Sequence, residues 1–313
     1  MNYNIICITP ITHINNAYEN LMECGDITYV PDIKKVELIH KLRNRKHNVI
    51  FTNPNRQNYI IDSEVLENSN IKFIVTASTG LNHIDLDYCK KSKITIYSLK
   101  KEFHIINKIS STAEHCFGLL LSLIRNIPKS HYDVVKNHNW DYTKYIGRQL
   151  NALTIGIVGY GRLGKMVEKY AKAFGMSVLI YDPFKGYNNL NTLHKECDIL
   201  TFHIHPDKKT TGMVNLEYLS KFKKNMYLIN TSRGEIVDER SIIECLKNGK
   251  LHGYATDVIK DEFGSFKDSK LVNAANKFNI IITPHVGGMT TEAQEIAYNE
   301  IIKNSINKQQ YND

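Results

Sequence analysis

Short apolar runs recur along the chain, each ended by polar residues or glycine. Ile5–Thr9, Asn48–Thr52, Phe73–Ala77 and Ile94–Ser98 read as four strands of the first third. The stretch S-S-T-A-E-H-C-F-G-L-L-L-S-L-I-R then predicts a long helix. Ser111 followed by Glu114 has capping-box spacing, and Pro128 follows the end. A second series of runs begins near Leu153. It predicts strands at Thr154–Val158, Ser177–Tyr181, Ile199–His203, Tyr227–Asn230, Gly253–Thr256 and Ile280–Thr283, with helical patterns between most of them. A last helical pattern covers Thr291–Ile306, after Gly287 and Gly288. This alternation is that of α/β layering in two units, one to about residue 103 and the other to about 288. Pattern alone does not say which unit the final helix joins.

Composition narrows the class. A chain of 313 residues, 42% hydrophobic and 23% charged, has enough material for two globular domains. The longest apolar run, near Phe117–Ile124, is far shorter than the roughly 18 residues of a membrane span. The start, M-N-Y-N-I-I-C-I-T, has no basic region leading into an apolar run and a cleavage site, so a cytoplasmic protein is expected. Six cysteines are scattered without C-x-x-C or zinc spacing, which suits reduced structural thiols and no metal. The net charge is +8, but lysine outnumbers arginine 32 to 8 and is spread out. No dense basic block with interleaved aromatics stands out, so a solvated surface is expected rather than nucleic-acid binding. A positive field can still gather a small anion.

The most informative stretch is T-I-G-I-V-G-Y-G-R-L-G-K. Gly159, Gly161 and Gly164 form G-x-G-x-x-G between an apolar strand and a helical pattern. The next strand ends in Asp182, 18 residues after Gly164. That is the βαβ setting of a dinucleotide site: glycines for a tight turn, for backbone approach to a pyrophosphate and for helix–strand packing, and a carboxylate for the ribose hydroxyls. Asp182 would repel a 2′-phosphate, which favours NAD over NADP, with Lys185 nearby as a counterweight.

Chemistry on such a cofactor needs a cation for an anionic substrate and a group that moves a proton. N-T-S-R-G places Arg233 after a strand, where its planar fork can meet a carboxylate. A-T-D-V-I-K-D-E supplies Asp257 and Glu262, and T-P-H-V-G-G supplies His285. A neighbouring carboxylate would favour the imidazolium of such a histidine.

In this order and at these intervals, Glu262 29 residues after Arg233 and His285 23 after Glu262, the set resembles the D-isomer-specific 2-hydroxyacid dehydrogenase family. T-A-S-T-G-L-N-H-I-D (Thr76–Asp85) is similar to that family's substrate loop. The resemblance covers nearly the whole chain and is phosphoglycerate dehydrogenase-like, of the short form without a regulatory domain. It implies two Rossmann/flavodoxin-like, doubly wound parallel-sheet α/β domains with a cleft between them. The substrate domain would be discontinuous, 1–103 with 289–313, and the NAD-binding domain would span 104–288. Arg233 would bind the carboxylate and keto oxygen, with His285 as acid/base paired to Glu262. Ser78, Thr79 and Gly80 would hold the substrate carboxylate. Arg162 and Leu163 would touch the pyrophosphate, and Ile204, Thr231 and Ser232 would line the nucleotide site. Asp257 would hold the nicotinamide carboxamide, and Gly287 and Gly288 would let the backbone pass the ring. A homodimer through the cofactor domain is implied.

Some positions depart from the family pattern. H-I-H-P-D puts His205 where proline is usual, and makes it a rival to His285. Asn82 stands where many members have aspartate. Thr76 stands where phosphoglycerate dehydrogenases often place arginine, although Arg56 or a lysine could substitute. Glu262 speaks against the formate dehydrogenase branch, which carries glutamine. No regulatory domain follows the final helix, so feedback through one is not expected. The reading is an NAD-dependent enzyme interconverting a D-2-hydroxy acid and its 2-keto acid, with 3-phosphoglycerate, glycerate or hydroxypyruvate among its candidates. The alternative is an NAD(H)-sensing binding protein of corepressor type, which would bind NADH without turnover.

Overall fold

The computed structural model describes residues 3–54, 59–260, 262 and 266–305, and divides into two compact units. The first comprises Met1–Ile109 with Met289–Asp313, the second Ser110–Gly288. In the first, β1 (Tyr3–Cys7), β2 (Gly25–Tyr29), β3 (Val49–Thr52), β4 (Phe73–Thr76) and β5 (Thr95–Ser98) form a parallel sheet in the order β2-β1-β3-β4-β5. Side chains alternate across a strand, so each central strand supplies two cores. Ile5, Cys7, Phe51 and Val75 pack on one face with Tyr298 and Ile301. Ile6, Ile50 and Ile74 pack on the other with Leu38, Leu42 and Val65.

The final helix, Thr291–Ser305, belongs to this first unit. It buries Ala297, Tyr298, Ile301 and Ile302, and Asn299 exchanges hydrogen bonds with Asn20 and the carbonyl of Asn15. Ile306, in the expected helix, lies outside the described residues. The first unit also extends past the expected boundary at 103. Ile105 and Ile106, in the short helix Phe103–Ile106, are buried in its core, so the chain leaves only after Ile109.

In the second unit, β6 (Thr154–Val158), β7 (Ser177–Tyr181), β8 (Ile199–Phe202), β9 (Met226–Asn230), β10 (Leu251–Thr256) and β11 (Ile280–Ile282) are parallel in the order β11-β10-β9-β8-β6-β7. After β6 the chain winds outward to β7, then crosses back to β8. The junction of β6 and β8 is therefore the switch point at which open α/β sheets leave a crevice. Helices cover both faces. Ser111–Ile124 lays Phe117, Leu120 and Leu123 against Ile155, Ile157 and Ile229, while Leu219, Ile242 and Leu271 pack on Phe202, Leu228 and Tyr254. Burying side chains of this size stabilises by ~1.5–3 kcal/mol each.

The capping box expected at Ser111 does not form. Ser110 occupies the cap position without a side-chain bond to the backbone and instead donates to Glu114 at 2.5 Å; Ser111 is buried within the first turn. Among the described residues no helix is long and apolar enough to cross a membrane.

Candidate active site

The candidate groups of the second unit sit where its strands end. At the end of β6, Gly159 has φ 94°, a conformation that favours glycine, and a Cβ there would lie 2.6 Å from the carbonyl oxygen of His203. A Cβ on Gly164 would lie 2.2 Å from the Gly159 carbonyl oxygen, so the helix Arg162–Ala173 starts directly on the loop. Gly161 is different: among the described residues no atom beyond its own turn lies within 4 Å of its Cβ position. It caps the helix without a side-chain partner, leaving the first-turn N–H groups at Leu163 and Gly164 to face an anion. These features fit a dinucleotide pyrophosphate.

Asp182, at the end of β7, is nearly buried. It accepts from the N–H of Tyr160 at 2.9 Å and of Phe184 at 3.2 Å, and so ties β7 to the glycine loop. Lys185 donates to the Tyr160 carbonyl. Ile204 lies against Gly159. Beside it, burial pushes the His203 imidazole down to about 4; its Nε2 pairs with Thr201 Oγ1 at 3.1 Å, and its buried Nδ1 has no partner among the described residues. His205 is exposed on the following loop, where its carbonyl accepts from Thr210.

The end of β9 is organised by Asn230, which is fully buried. Its Oδ1 accepts from the N–H and hydroxyl of Ser232, and its Nδ2 donates to the Arg233 carbonyl at 2.9 Å. This turn buries Thr231 and Ser232, and the Arg233 guanidinium donates to the Ser232 carbonyl at 2.6 Å. Burial pushes the Arg233 guanidinium down from its ordinary range, while Glu262 and Glu235 act in the opposite sense. A Cβ on Gly234 would lie 2.1 Å from the backbone of Ile259, so this turn is packed on the chain leaving β10.

That chain carries Asp257, buried at the end of β10. Burial works against its charge, but hydrogen bonds from His115, Thr283, Gly287 and Val286 outweigh it and hold the carboxyl below its ordinary range. The resemblance points this carboxylate at a nicotinamide carboxamide. In the structure its oxygens accept from the Thr283 hydroxyl at 2.6 Å, Val286 N–H at 2.9 Å and Gly287 N–H at 2.8 Å. Its carbonyl accepts from the N–H of His285. Gly287 is a glycine because of this carboxylate, since a Cβ would lie 2.9 Å from Oδ2; Gly288 has open space around it. His285 has φ 55°, a left-handed conformation seldom taken by a residue with a side chain, and its Nδ1 lies 2.9 Å from Glu262 Oε1.

The structure thus brings Glu262 and His285 into contact and sets Arg233 in the electrostatic field of Glu262. It gathers Gly159, Gly164, Asp182 and Ile204 around the ends of β6, β7 and β8. Ser78, Thr79 and Gly80 lie in the first unit, at the end of β4. There Ser78 Oγ donates to the Gly80 carbonyl at 2.7 Å, and Thr76 is fully buried between Ser78 and His83. Among the described residues the N–H groups of Ser78, Thr79 and Gly80 have no acceptor. Asn230, Thr283 and His115 are the participants missed by sequence reasoning. The first two stand inside quoted motifs, as the Asn of N-T-S-R-G and the Thr of T-P-H. His115 carries no signal beyond a polar residue in an apolar helix.

A model of the D-isomer-specific 2-hydroxyacid dehydrogenases, NAD binding domain, matches residues 117–287, more than half of the chain. The chain belongs to this family. As a 2-hydroxyacid dehydrogenase family member it is 37% identical over 236 residues to D-3-phosphoglycerate dehydrogenase of Bacillus subtilis, covering 72% of this chain and 43% of that protein. It is 33% identical over 242 residues to glycerate dehydrogenase of Methylorubrum extorquens, covering 75% of this chain and 74% of the other. The chain spans about half the length of the phosphoglycerate dehydrogenases it matches. Among solved structures, D-lactate dehydrogenase from Aquifex aeolicus, complexed with NAD and lactic acid, is 29% identical with a TM-score of 0.79. That match covers 99% of this chain and 96% of that one.

Proposed function

We propose that this chain is an NAD-dependent oxidoreductase interconverting a D-2-hydroxy acid and its 2-keto acid. The observation that carries the reading is the Glu262–His285 pair, 2.9 Å apart on strand-end loops of the sheet that holds the glycine loop. NAD, when bound, supplies or takes the hydride. The residues proposed to hold it are Gly159, Gly161, Arg162, Leu163 and Gly164 at the pyrophosphate, Asp182 at the ribose, and Ile204, Thr231, Ser232, Asp257, Gly287 and Gly288 along the remainder.

Arg233 binds the keto acid through its carboxylate and polarises the keto oxygen. His285 gives that oxygen a proton in reduction and takes one from the hydroxyl in oxidation. Glu262 accepts from Nδ1–H, which fixes the ring and favours the imidazolium when reduction needs a donor. The open N–H groups of Ser78, Thr79 and Gly80 are the proposed carboxylate ligands of the first unit. 3-Phosphoglycerate, and glycerate with hydroxypyruvate, are the pairs to try first; the relatives that match include a phosphoglycerate dehydrogenase and a glycerate dehydrogenase. Thr76 offers no cation to a phosphate, and Arg56 lies outside the described residues.

The enzyme is proposed to be a cytoplasmic homodimer. Six free, buried cysteines suit a reducing compartment. The helix Ile127–Asn137 buries no residue, and Trp140, Tyr142 and Ile146 beyond it are 88%, 80% and 76% exposed. This is a face that a second copy would cover.

The decisive experiment follows NADH absorbance with 3-phosphohydroxypyruvate, hydroxypyruvate, pyruvate and bulkier 2-keto acids, then tests D- and L-hydroxy acids in reverse. Turnover with D-selectivity is expected. Bound NADH with no turnover of any acid would leave the sensing protein as the better reading.

A further inference from the structure

Three side chains link the helix Ser111–Ile124 to the loop after β11, and none has the substrate as its partner in the mechanism above. Thr283 Oγ1 lies 2.6 Å from Asp257 Oδ1 and 2.9 Å from His115 Nε2. Asp257 is held below its ordinary range, so it is ionised near neutral pH and can only accept. The single hydroxyl proton of Thr283 must therefore point at Asp257, and the Thr283 oxygen must accept from His115. This assigns a proton to His115 Nε2, which also lies 3.3 Å from Asp257 Oδ1.

The direction of the chain matters because of what hangs from its end. Asp257 accepts from the N–H groups of Val286 and Gly287, and its carbonyl accepts from that of His285. Three consecutive amides of a left-handed turn are thus held by one residue. The ring of His115 also lies beside that turn, with Cδ2 3.6 Å from the Cβ position of Gly287. Among the described residues no side chain besides His115 and Thr283 donates to Asp257, and none besides His115 donates to Thr283.

We propose that His115 is a positioning residue. Acting through Thr283 and Asp257, it orients the carboxylate that holds His285 in its left-handed turn. The proposal rests on the reading of His285 as the acid/base. His115 itself moves no proton in the reaction. Its N–H fixes the Thr283 rotor, and the rotor and the N–H together fix the carboxylate plane on which the turn is templated.

The test compares His115→Leu and Thr283→Val, which break the chain, with His115→Gln and Thr283→Ser, which keep a donor and a hydroxyl. Hydrogen exchange by mass spectrometry over Thr283–Gly288 needs no substrate. The breaking variants should exchange faster there by about tenfold or more, and the conservative ones should match the wild type. In turnover, kcat should fall about 10- to 100-fold in the breaking variants, the usual effect of losing a group that orients an active one, with KM for NADH rising as well because Asp257 is among the residues proposed to hold the cofactor, and the conservative variants should restore both. The double variant should be no worse than the poorer single one, because both cut the same chain. Wild-type exchange and kcat in both breaking variants would overturn the proposal, as would equal damage from Thr283→Ser and Thr283→Val. If the wild type reduces no keto acid, the enzyme reading fails, and the exchange measurement still decides the positioning claim.

Discussion

His285 combines an uncommon backbone conformation with a directed side chain. Its φ of 55° costs about 1–2 kcal/mol relative to the right-handed region. The bonds from its own N–H and those of Val286 and Gly287 to Asp257 offset that cost. A replacement should tolerate the same conformation, which asparagine does better than alanine. We expect His285→Asn to lower kcat by about 10²- to 10⁴-fold with NADH affinity kept, since only proton transfer is lost. Arg233→Lys keeps the charge and loses the fork, so it should raise KM for the keto acid as well as lower kcat. Steady-state kinetics with an NADH fluorescence titration separates these outcomes. Near wild-type turnover by His285→Asn would move attention to His205.

At the scale of the element, the glycine loop shows three glycines with different reasons. Gly164→Ala puts a Cβ 2.2 Å from the Gly159 carbonyl oxygen, so the helix must move away from β6. A loss of about 1–3 kcal/mol in stability is expected, with weakened NADH binding. Among the described residues Gly161→Ala meets no atom beyond its own turn within 4 Å and should leave the melting temperature unchanged. It should still weaken NADH, because the new methyl group occupies the space proposed for the pyrophosphate. Thermal melts and NADH titrations of the two variants check this, and unaltered NADH binding by Gly161→Ala would remove the cradle reading. The first sheet teaches a different lesson. The run G-D-I-T-Y of β2 was not legible as a strand: it is an edge strand whose one aliphatic residue is Ile27, so no apolar run marks it.

At the scale of the whole molecule, the proposed homodimer would be built on the unburied helix Ile127–Asn137 and the segment after it. An isolated helix shorter than ~12–15 residues is marginal in water, so a covering surface would stabilise this one. The segment is braced by Asp133, which accepts from Asn137, Asn139 and Tyr145 while the apolar side chains stay outside. A prearranged apolar face of this kind loses little freedom on docking. Trp140→Asp and Ile146→Asp are expected to shift sedimentation from dimer to monomer by placing a charge in the contact; a dimer that persists in both variants would put the interface elsewhere.

Sequence alone determined the local rules. Apolar runs marked ten of the eleven described strands, most plainly the central ones, because a strand buried on both faces is largely apolar throughout. Glycine spacing marked the loop, because backbone approach and a positive φ exclude a Cβ. The order of Arg233, Glu262 and His285 marked the candidate chemistry. Tertiary structure decided what depends on distance in space. It returned the helix Thr291–Ser305 to the first unit, and extended that unit to Ile109 through two buried isoleucines. It also turned Asp257 toward its own chain and joined it to His115 and Thr283, which lie far apart in sequence. No local pattern encodes such a junction, because hydrogen-bond partners are chosen only when packing sets their donors and acceptors within reach.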